Sequence, residues 1–297
     1  MAGGYWIAQN KVIPGAYINF TSESQEKIYI SDRGIVTMPL ILDWGIVKKF
    51  VMIDYNADFK AVLGYDILDP KLLLIKEVLK RAKYVLLYRI NSGVKATKTS
   101  GTLTVTARFE GTRGNKITVV IASNPDVLNS FIVTTYLDGI EVDEQQAANA
   151  ENLVANDYVV FSGTGALVAN AGIVLTGGTD TVPVSSDYTE YFQACEIQEF
   201  NTLGLPVEDS TIKGAAAAFA KRMIETEGKK IQVVMPSYSI ADHEGIISVE
   251  NGVVLADGTV IDKLKAVAWV AGAEASANIN EDLTYSPYED AADVTER

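Results

Sequence analysis

From Thr102 onward the apolar residues fall on every second position, and this period limits the fold more than any other feature of the chain. Leu103, Val105, Ala107 and Phe109 share one face, and Thr104, Thr106, Arg108 and Glu110 share the other. Ile117, Val119 and Ile121 resume the pattern after the hexapeptide "GTRGNK". Such alternation marks half-buried strands. Upstream the period is helical. In "DPKLLLIKEVLKRAK", Leu72, Ile75, Leu79 and Ala82 recur at helix spacing. Asp69 is placed to cap that helix, Pro70 suits its first turn, and basic residues close its end, where the helix dipole favours them. "YVLLYRI" then reads as a buried strand, and a helix leading straight into a strand is half of an α/β unit.

The polar stretch "NSGVKATKTSG" at 91–101 separates the two patterns. Beyond it, "SFIVTTYLDGIEVDEQ" predicts a hairpin with Asp138-Gly139 at its tip. "DYVVFSG" and "AGIVLTGG" predict further strands, with a short helix around 143–155. After Pro183 helical spacing returns. Ser210 is placed to cap "TIKGAAAAFAKRMIETEG", with Ile212, Ala215, Phe219 and Met223 as its apolar stripe and Gly228 as its stop. "IQVVMP" reads as a buried strand, "GIISVENGVVLADG" as a hairpin around Asn251-Gly252, and "DKLKAVAWVAGAEASANI" as a helix buried on most sides. Near the start, Pro14 and Gly15 make "VIPGAYINF" an edge strand or extended arm. "KIYIS" and "GIVTMPLILDWG" are short strands. The expected fold is an α/β (α+β) core domain, residues 27–94 and 183–297, interrupted by an all-β, sandwich- or barrel-like domain over 95–182, with 1–26 as an arm.

The 297 residues exceed what most single cores hold, and 48% hydrophobic against 21% charged residues suits a chain that folds without a cofactor. Net charge is −13, distributed as +3 over 1–94, −4 over 95–182 and −12 over 183–297. An acidic chain without clustered Lys and Arg disfavours nucleic acid and anionic membranes as partners. No apolar run approaches the ~18 residues of a membrane span, and "MAGGYWIAQNKVIPG" lacks the basic start and apolar block of a signal peptide. Synthesis in the cytoplasm is expected.

Candidate chemistry is sparse. Cys195 and His243 are the only residues of their types, which removes internal disulfides, cysteine-pair metal motifs and multi-histidine sites. Cys195 reads as a buried small hydrophobe and His243 as a solvated loop residue. No G-x-S-x-G elbow occurs to serve a serine triad through His243. "GTRGNKITVV" leads into a strand and lacks Walker A spacing. "SGTGALVANAG" lacks a dinucleotide fingerprint, Asp242 and Glu244 read as a solvated turn, and Trp6, Trp44 and Trp269 are dispersed. No catalytic, cofactor-binding or metal residue is predicted.

Against that background the blocks "PGAYINF", "RGIVTMPLILDWG", "DFKAVLGYD", "KYVLLYRINSG", "ARFEGTRGNKITVVI", "LTGGTD", "EFNTLGLP", "GKKIQVVMPSY" and "HEGIISVENGVVLADGT" carry a resemblance. Spanning nearly the whole chain, they resemble tail sheath proteins of contractile-tailed bacteriophages and phage-like particles, in the branch found in Gram-positive bacteria. The resemblance implies a structural subunit of the virion. Six-membered rings of such subunits stack around a tail tube, meet a baseplate, and contract to drive the tube through a cell envelope. It implies that "GTRGNK" is a hairpin tip of the inserted domain. It also implies arms that lend strands to neighbouring subunits, which puts Ile13, Tyr17, Ile18 and Phe20 at intersubunit contacts. In the family a C-terminal region and arm follow the "LTY" segment at 283–285, and the chain stops at Arg297. The expectation is therefore a chain cut before that arm, monomeric or a small oligomer in dilute solution. The alternative is a binding module whose β domain recognises a carbohydrate or cell-surface partner, which predicts aromatic residues at loop tips.

Overall fold

The structure, a computed structural model, describes residues 34–278, 280–284, 286, 288 and 290–296. Strand β1 (Ile35–Leu40) is followed by β2 (Phe50–Ile53), a short helix α1 (Phe59–Leu63), helix α2 (Leu73–Leu79) and β3 (Tyr84–Arg89). Asp69 caps the 3-10 turn Pro70–Leu72 that opens α2, its side chain accepting from Lys71 N. The expected stripe holds, with Leu72, Ile75, Leu79 and Ala82 all buried.

The middle of the chain supplies β4 (Gly93–Val94), β5 (Thr97–Ser100), β6 (Leu103–Ala107), β7 (Ile117–Ser123), β8 (Phe131–Leu137), β9 (Ile140–Ala147), β10 (Val159–Gly163), β11 (Asn170–Val174) and β12 (Thr179–Asp180). Three strands in the order β10-β6-β5 face four in the order β11-β7-β8-β9. Leu103, Val105 and Ala107 of one sheet and Ile117, Val119, Ile121 and Val133 of the other fill the space between. This is a β-sandwich, and the alternation of period 2 is its inner face. Asp138 and Gly139 both have positive φ, at 52° and 78°, as a two-residue turn between β8 and β9 requires. Strand β4 pairs with β12, so the chain enters and leaves the sandwich side by side.

The remainder adds α3 (Ser185–Cys195), β13 (Thr202–Gly204), α4 (Ser210–Lys221), β14 (Gln232–Pro236), β15 (Ile246–Val249), β16 (Val253–Leu255), β17 (Val260–Ile261), α5 (Lys263–Ser276) and β18 (Ala291–Val294). A six-stranded sheet, β15-β14-β13-β1-β3-β2, takes strands from both sides of the sandwich in sequence. Its strands are parallel except the edge strand β2. Successive side chains point to opposite faces. Val36, Met38, Leu40, Val85, Leu87 and Val234 pack with α2 and α5. Tyr88, Leu203, Val233 and Met235 pack with α3 and α4. Burial on both faces explains why these strands read as continuous apolar runs. Each fully buried aliphatic side chain contributes roughly 1.5–3 kcal/mol.

Several sequence expectations are corrected. "GTRGNK" is no hairpin tip, because β6 and β7 lie in different sheets. Residues Thr112–Lys116 form a 3-10 turn that crosses between them. Gly114 makes the crossing possible, since a Cβ there would sit 2.9 Å from the Ala107 methyl and 3.0 Å from that of Ala96. Asn251-Gly252 does not close a hairpin either. β15 runs parallel to β14, while β16 pairs with β17 and β18 in a separate sheet. Gly252 instead exchanges hydrogen bonds with Thr295. The helix expected over 143–155 is replaced by β9 and a single 3-10 turn, Ala150–Asn152. Asp209, rather than Ser210, caps α4 by accepting from Thr211 N and Ile212 N. Ala216 takes the buried position given to Ala215, which is exposed.

Candidate assembly surfaces and the domain junction

Among the described residues no group of His, Cys, Asp and Glu is placed to hold a metal ion, and no helix is long and apolar enough to cross a membrane. Cys195 is buried against Tyr191, and burial pushes its thiol up to about 12. His243 is less exposed than expected, its side chain retaining 11% accessibility. Nδ1 accepts from Gly245 N at 3.0 Å, and Nε2 faces Glu225 at 3.4 Å. It lines a cleft of about 410 Å³ with Tyr238, Ser239, Asp242, Glu244 and Ser248. Both imidazole nitrogens are thus engaged away from a nucleophile. Ser248 Oγ donates to Glu250 at 2.5 Å and accepts from Tyr238 N at 2.6 Å. The groups of a triad are present as residue types and are not aligned as one.

A polar constellation lies where the α/β part meets the sandwich, and its centre is Arg89. The side chain is 1% exposed. Nη1 donates to Gly45 O at 3.0 Å and Glu110 O at 2.8 Å, and Nη2 donates to Asp180 Oδ1 at 3.2 Å. Asp180 Oδ2 accepts from Thr112 N at 3.0 Å and Thr112 Oγ1 at 2.6 Å. Glu110 Oε2 accepts from Gly93 N at 2.9 Å. Burial lowers the pKa of the guanidinium, and Asp180, Glu110 and Asp43 oppose that shift. Gly111 has φ +124°, and a Cβ there would lie 2.0 Å from Asp43 O. That contact leaves the backbone of the crossing turn directly against the loop after β1.

Two further contacts flank the centre. Arg113, the arginine of "GTRGNK", donates from Nε to Gly64 O at 3.0 Å, lies 4.0 Å over the Tyr65 ring and pairs with Asp138 at 2.5 Å. Tyr65 OH donates to Asp43 Oδ2 at 2.6 Å, and Lys71 joins the same carboxylate at 2.5 Å. Burial, then Asp43, pushes the Tyr65 hydroxyl up to about 12. Trp44 comes from the α/β part and is fully buried in the sandwich core. It meets Phe109 edge-on at 5.3 Å and stacks on Tyr158 at 6.4 Å. Sequence reading missed Arg89, Trp44 and Asp180. A charged residue inside "YVLLYRI" was the available signal, because a buried strand keeps a charge only when something answers it.

The outer surfaces include two strand edges that pair with nothing further among the described residues, β15 and β2, at the ends of the six-stranded sheet. The edge of the sandwich at β9 carries Glu141, Asp143 and Glu144, charges that oppose pairing with another strand. Ile13, Tyr17, Ile18 and Phe20 lie outside the described residues.

Comparison with known proteins covers the same ground in three consecutive pieces. Residues 33–90 match the tail sheath protein Gp18 domain III N-terminal region, 91–180 the phage tail sheath protein beta-sandwich domain, and 182–297 the phage tail sheath protein central domain. The chain is 43% identical, over 99% of its length and 67% of the relative's, to the phage-like element PBSX protein XkdK of Bacillus subtilis (strain 168). The crystal structure of the sheath tail protein from Desulfitobacterium hafniense matches with a TM-score of 0.86 and 52% identity, over 95% of this chain and 67% of that one. That of Listeria innocua matches with a TM-score of 0.81 and 40% identity, over 92% and 63%. The chain thus spans about two thirds of the length of these relatives and over that span is similar to them in sequence and, for the two solved structures, in fold: it belongs to the phage tail sheath protein family.

Proposed function

We propose that this chain is a subunit of a contractile tail sheath, a virion component made in the bacterial host cytoplasm. It polymerises with its own copies around a tail tube, is triggered at a baseplate, and drives the tube through a cell envelope. Its work is mechanical, and no reaction is assigned to it. The observation that carries the reading is the run of three sheath matches over 33–297. The physics of the edges fits. Open strand edges accept extended segments through backbone hydrogen bonds, and head-to-tail contacts that do not close produce helical arrays. Contraction is then a switch between two packings of one subunit.

The same reading divides the chain into an arm over 1–26, one α/β domain formed by 27–94 and 183–297, and an inserted β domain over 95–182. It assigns Ile13, Tyr17, Ile18 and Phe20 to contacts between subunits in six-membered rings. The test uses the chain extended to its relatives' length, with and without residues 1–20, in a sedimentation assay. The reading expects the longer chain to pellet as polymer and the deletion to stay folded in the supernatant. Equal pelleting of both would sink the arm assignment, and failure of both to pellet beside purified tubes would sink the sheath role. The alternative, a sandwich that reads a carbohydrate, has less to stand on. Tyr158 and Phe109 are spent on Trp44, and the most exposed of the large hydrophobic residues described, Leu128 at 90%, is aliphatic.

A further inference from the structure

We infer that the Arg89–Asp180 pair is a fastening that holds the sandwich at one fixed angle to the α/β part, with Arg89 as the positioning residue. Three observations bear on it independently. First, Arg89 is anchored at the end of β3, inside the six-stranded sheet, while the carboxylate it meets belongs to β12, at the exit of the sandwich. The two halves of the pair thus sit on different bodies. Second, each partner is tied into its own side. Arg89 Nη1 is held by Gly45 O on its own side and also reaches Glu110 O on the sandwich side, and Asp180 Oδ2 is held by both donors of Thr112. Neither side chain is free to follow the other if the bodies tilt. Third, Arg89 Nε is buried with no partner, so the guanidinium has no spare satisfaction to draw on when Asp180 leaves.

A tilt of an ångström or two at this junction leaves a buried cation facing no carboxylate, and such a state is strongly disfavoured. The connection has two covalent strands, β4 and β12, which pair through Gly93–Asp180 and Val94–Thr179 and, one step further out, through hydrogen bonds between Ser92 and Thr181. So narrow a ribbon bends unless side chains brace it, and Trp44 in the sandwich core supplies one brace. The buried pair, with Arg113 on the Tyr65 ring as an outrigger, converts a bend into an all-or-none opening. Under the sheath reading, displacement of the α/β part is therefore carried to the sandwich undiminished. The fastening itself does not depend on that reading, because it is a property of one chain.

The test measures a distance distribution. Spin labels go on Leu128→Cys at the far end of the sandwich and Lys263→Cys on α5, both exposed positions, with Cys195 inert to labelling because it is buried. The present chain should give one narrow distance. Asp180→Ala should broaden it or add a second population. It should also speed amide exchange at Gly93, Val94 and Thr179 by ~100-fold or more, while exchange inside both cores is unchanged. Thr112→Val, which removes one of the ties on Asp180 and no charge, should give a smaller broadening, and it serves if Asp180→Ala fails to fold. A distribution as narrow as the parent's in both variants, with both cores protected, overturns the inference.

Discussion

Trp44→Ala is the sharpest probe of how the sandwich is seated. Trp44 precedes the sandwich by some fifty residues, yet its indole is fully buried in the sandwich core against Phe109 and Tyr158. Truncating a buried Trp costs ~3–5 kcal/mol through lost transfer energy and the cavity left behind. Part of that is returned here. The indole Nε1 is buried without a partner, and removing an unsatisfied donor relieves a penalty of ~1–3 kcal/mol. The net expectation is a loss of ~2–3 kcal/mol, felt by the sandwich and not by α5 or β14. A chain built of several units need not unfold in one step, so a site-resolved assay is required. Native-state hydrogen exchange supplies it. Amides of Val105, Val119 and Val159 should exchange ~30- to 150-fold faster, a factor set by ~1.4 kcal/mol per decade. Amides of Met235 and Trp269 should keep their protection. Uniform acceleration across both parts, or a change under fivefold in the sandwich, would refute the claim that a residue of the α/β part completes the sandwich core.

Other consequences are as direct. Thr37 Oγ1 lies 3.1 Å from Leu86 O and 3.0 Å from Tyr191 OH. Its one proton serves the carbonyl, so Tyr191 is the donor, and Thr37→Val removes both contacts and leaves the buried Tyr191 hydroxyl with Cys195. A loss of ~2–3 kcal/mol in urea unfolding is expected, and a neutral result would show the network relaxes. Gly111→Ala places a methyl against Asp43 O at a φ of +124° and should cost ~2–3 kcal/mol, seen as a lowered Tm; an unchanged Tm would mean the turn moves freely. Burial holds the Cys195 thiol up at about 12, against ~8.5 for a free thiol. The folded state keeps a proton that the unfolded chain releases, so this contribution is intact below ~pH 8.5 and falls as pH rises toward 12, by at most ~1.4 kcal/mol per unit. Cys195→Ala should flatten that component of the pH profile, and an identical slope in both proteins would contradict it.

Much of the architecture was legible, for reasons that can be traced to particular residues. The alternation from Leu103 to Ile121 marks half-buried strands, which the fold places one in each sheet of the sandwich, and the Leu72–Ala82 stripe marks α2 and its flanking turns. What failed were inferences about partners. "GTRGNK" and "ENGV" both look like hairpin tips because glycine and asparagine permit tight turns. Whether flanking strands pair with each other depends on which sheet captures them, and that is decided by residues far away, such as Thr295 beside Gly252. Helix α3 was missed although Tyr188, Tyr191, Phe192 and Cys195 sit at helical spacing and are all buried. Aromatic residues in a polar context hid the period. The junction was illegible for a different reason. Arg89, Asp180 and Thr112 are separated by 68 or more positions in two of their three pairings, and only the folded chain brings them together.

The central claim is that this sequence makes a polymer-forming sheath subunit, and negative-stain electron microscopy tests it most directly. The chain would be imaged beside a version extended to the length of its relatives, at matched concentration. The account predicts hollow, transversely striated tubes from the longer chain and particles without tubes from this one. Folded, dispersed particles from both, with or without added tail tubes, would contradict it.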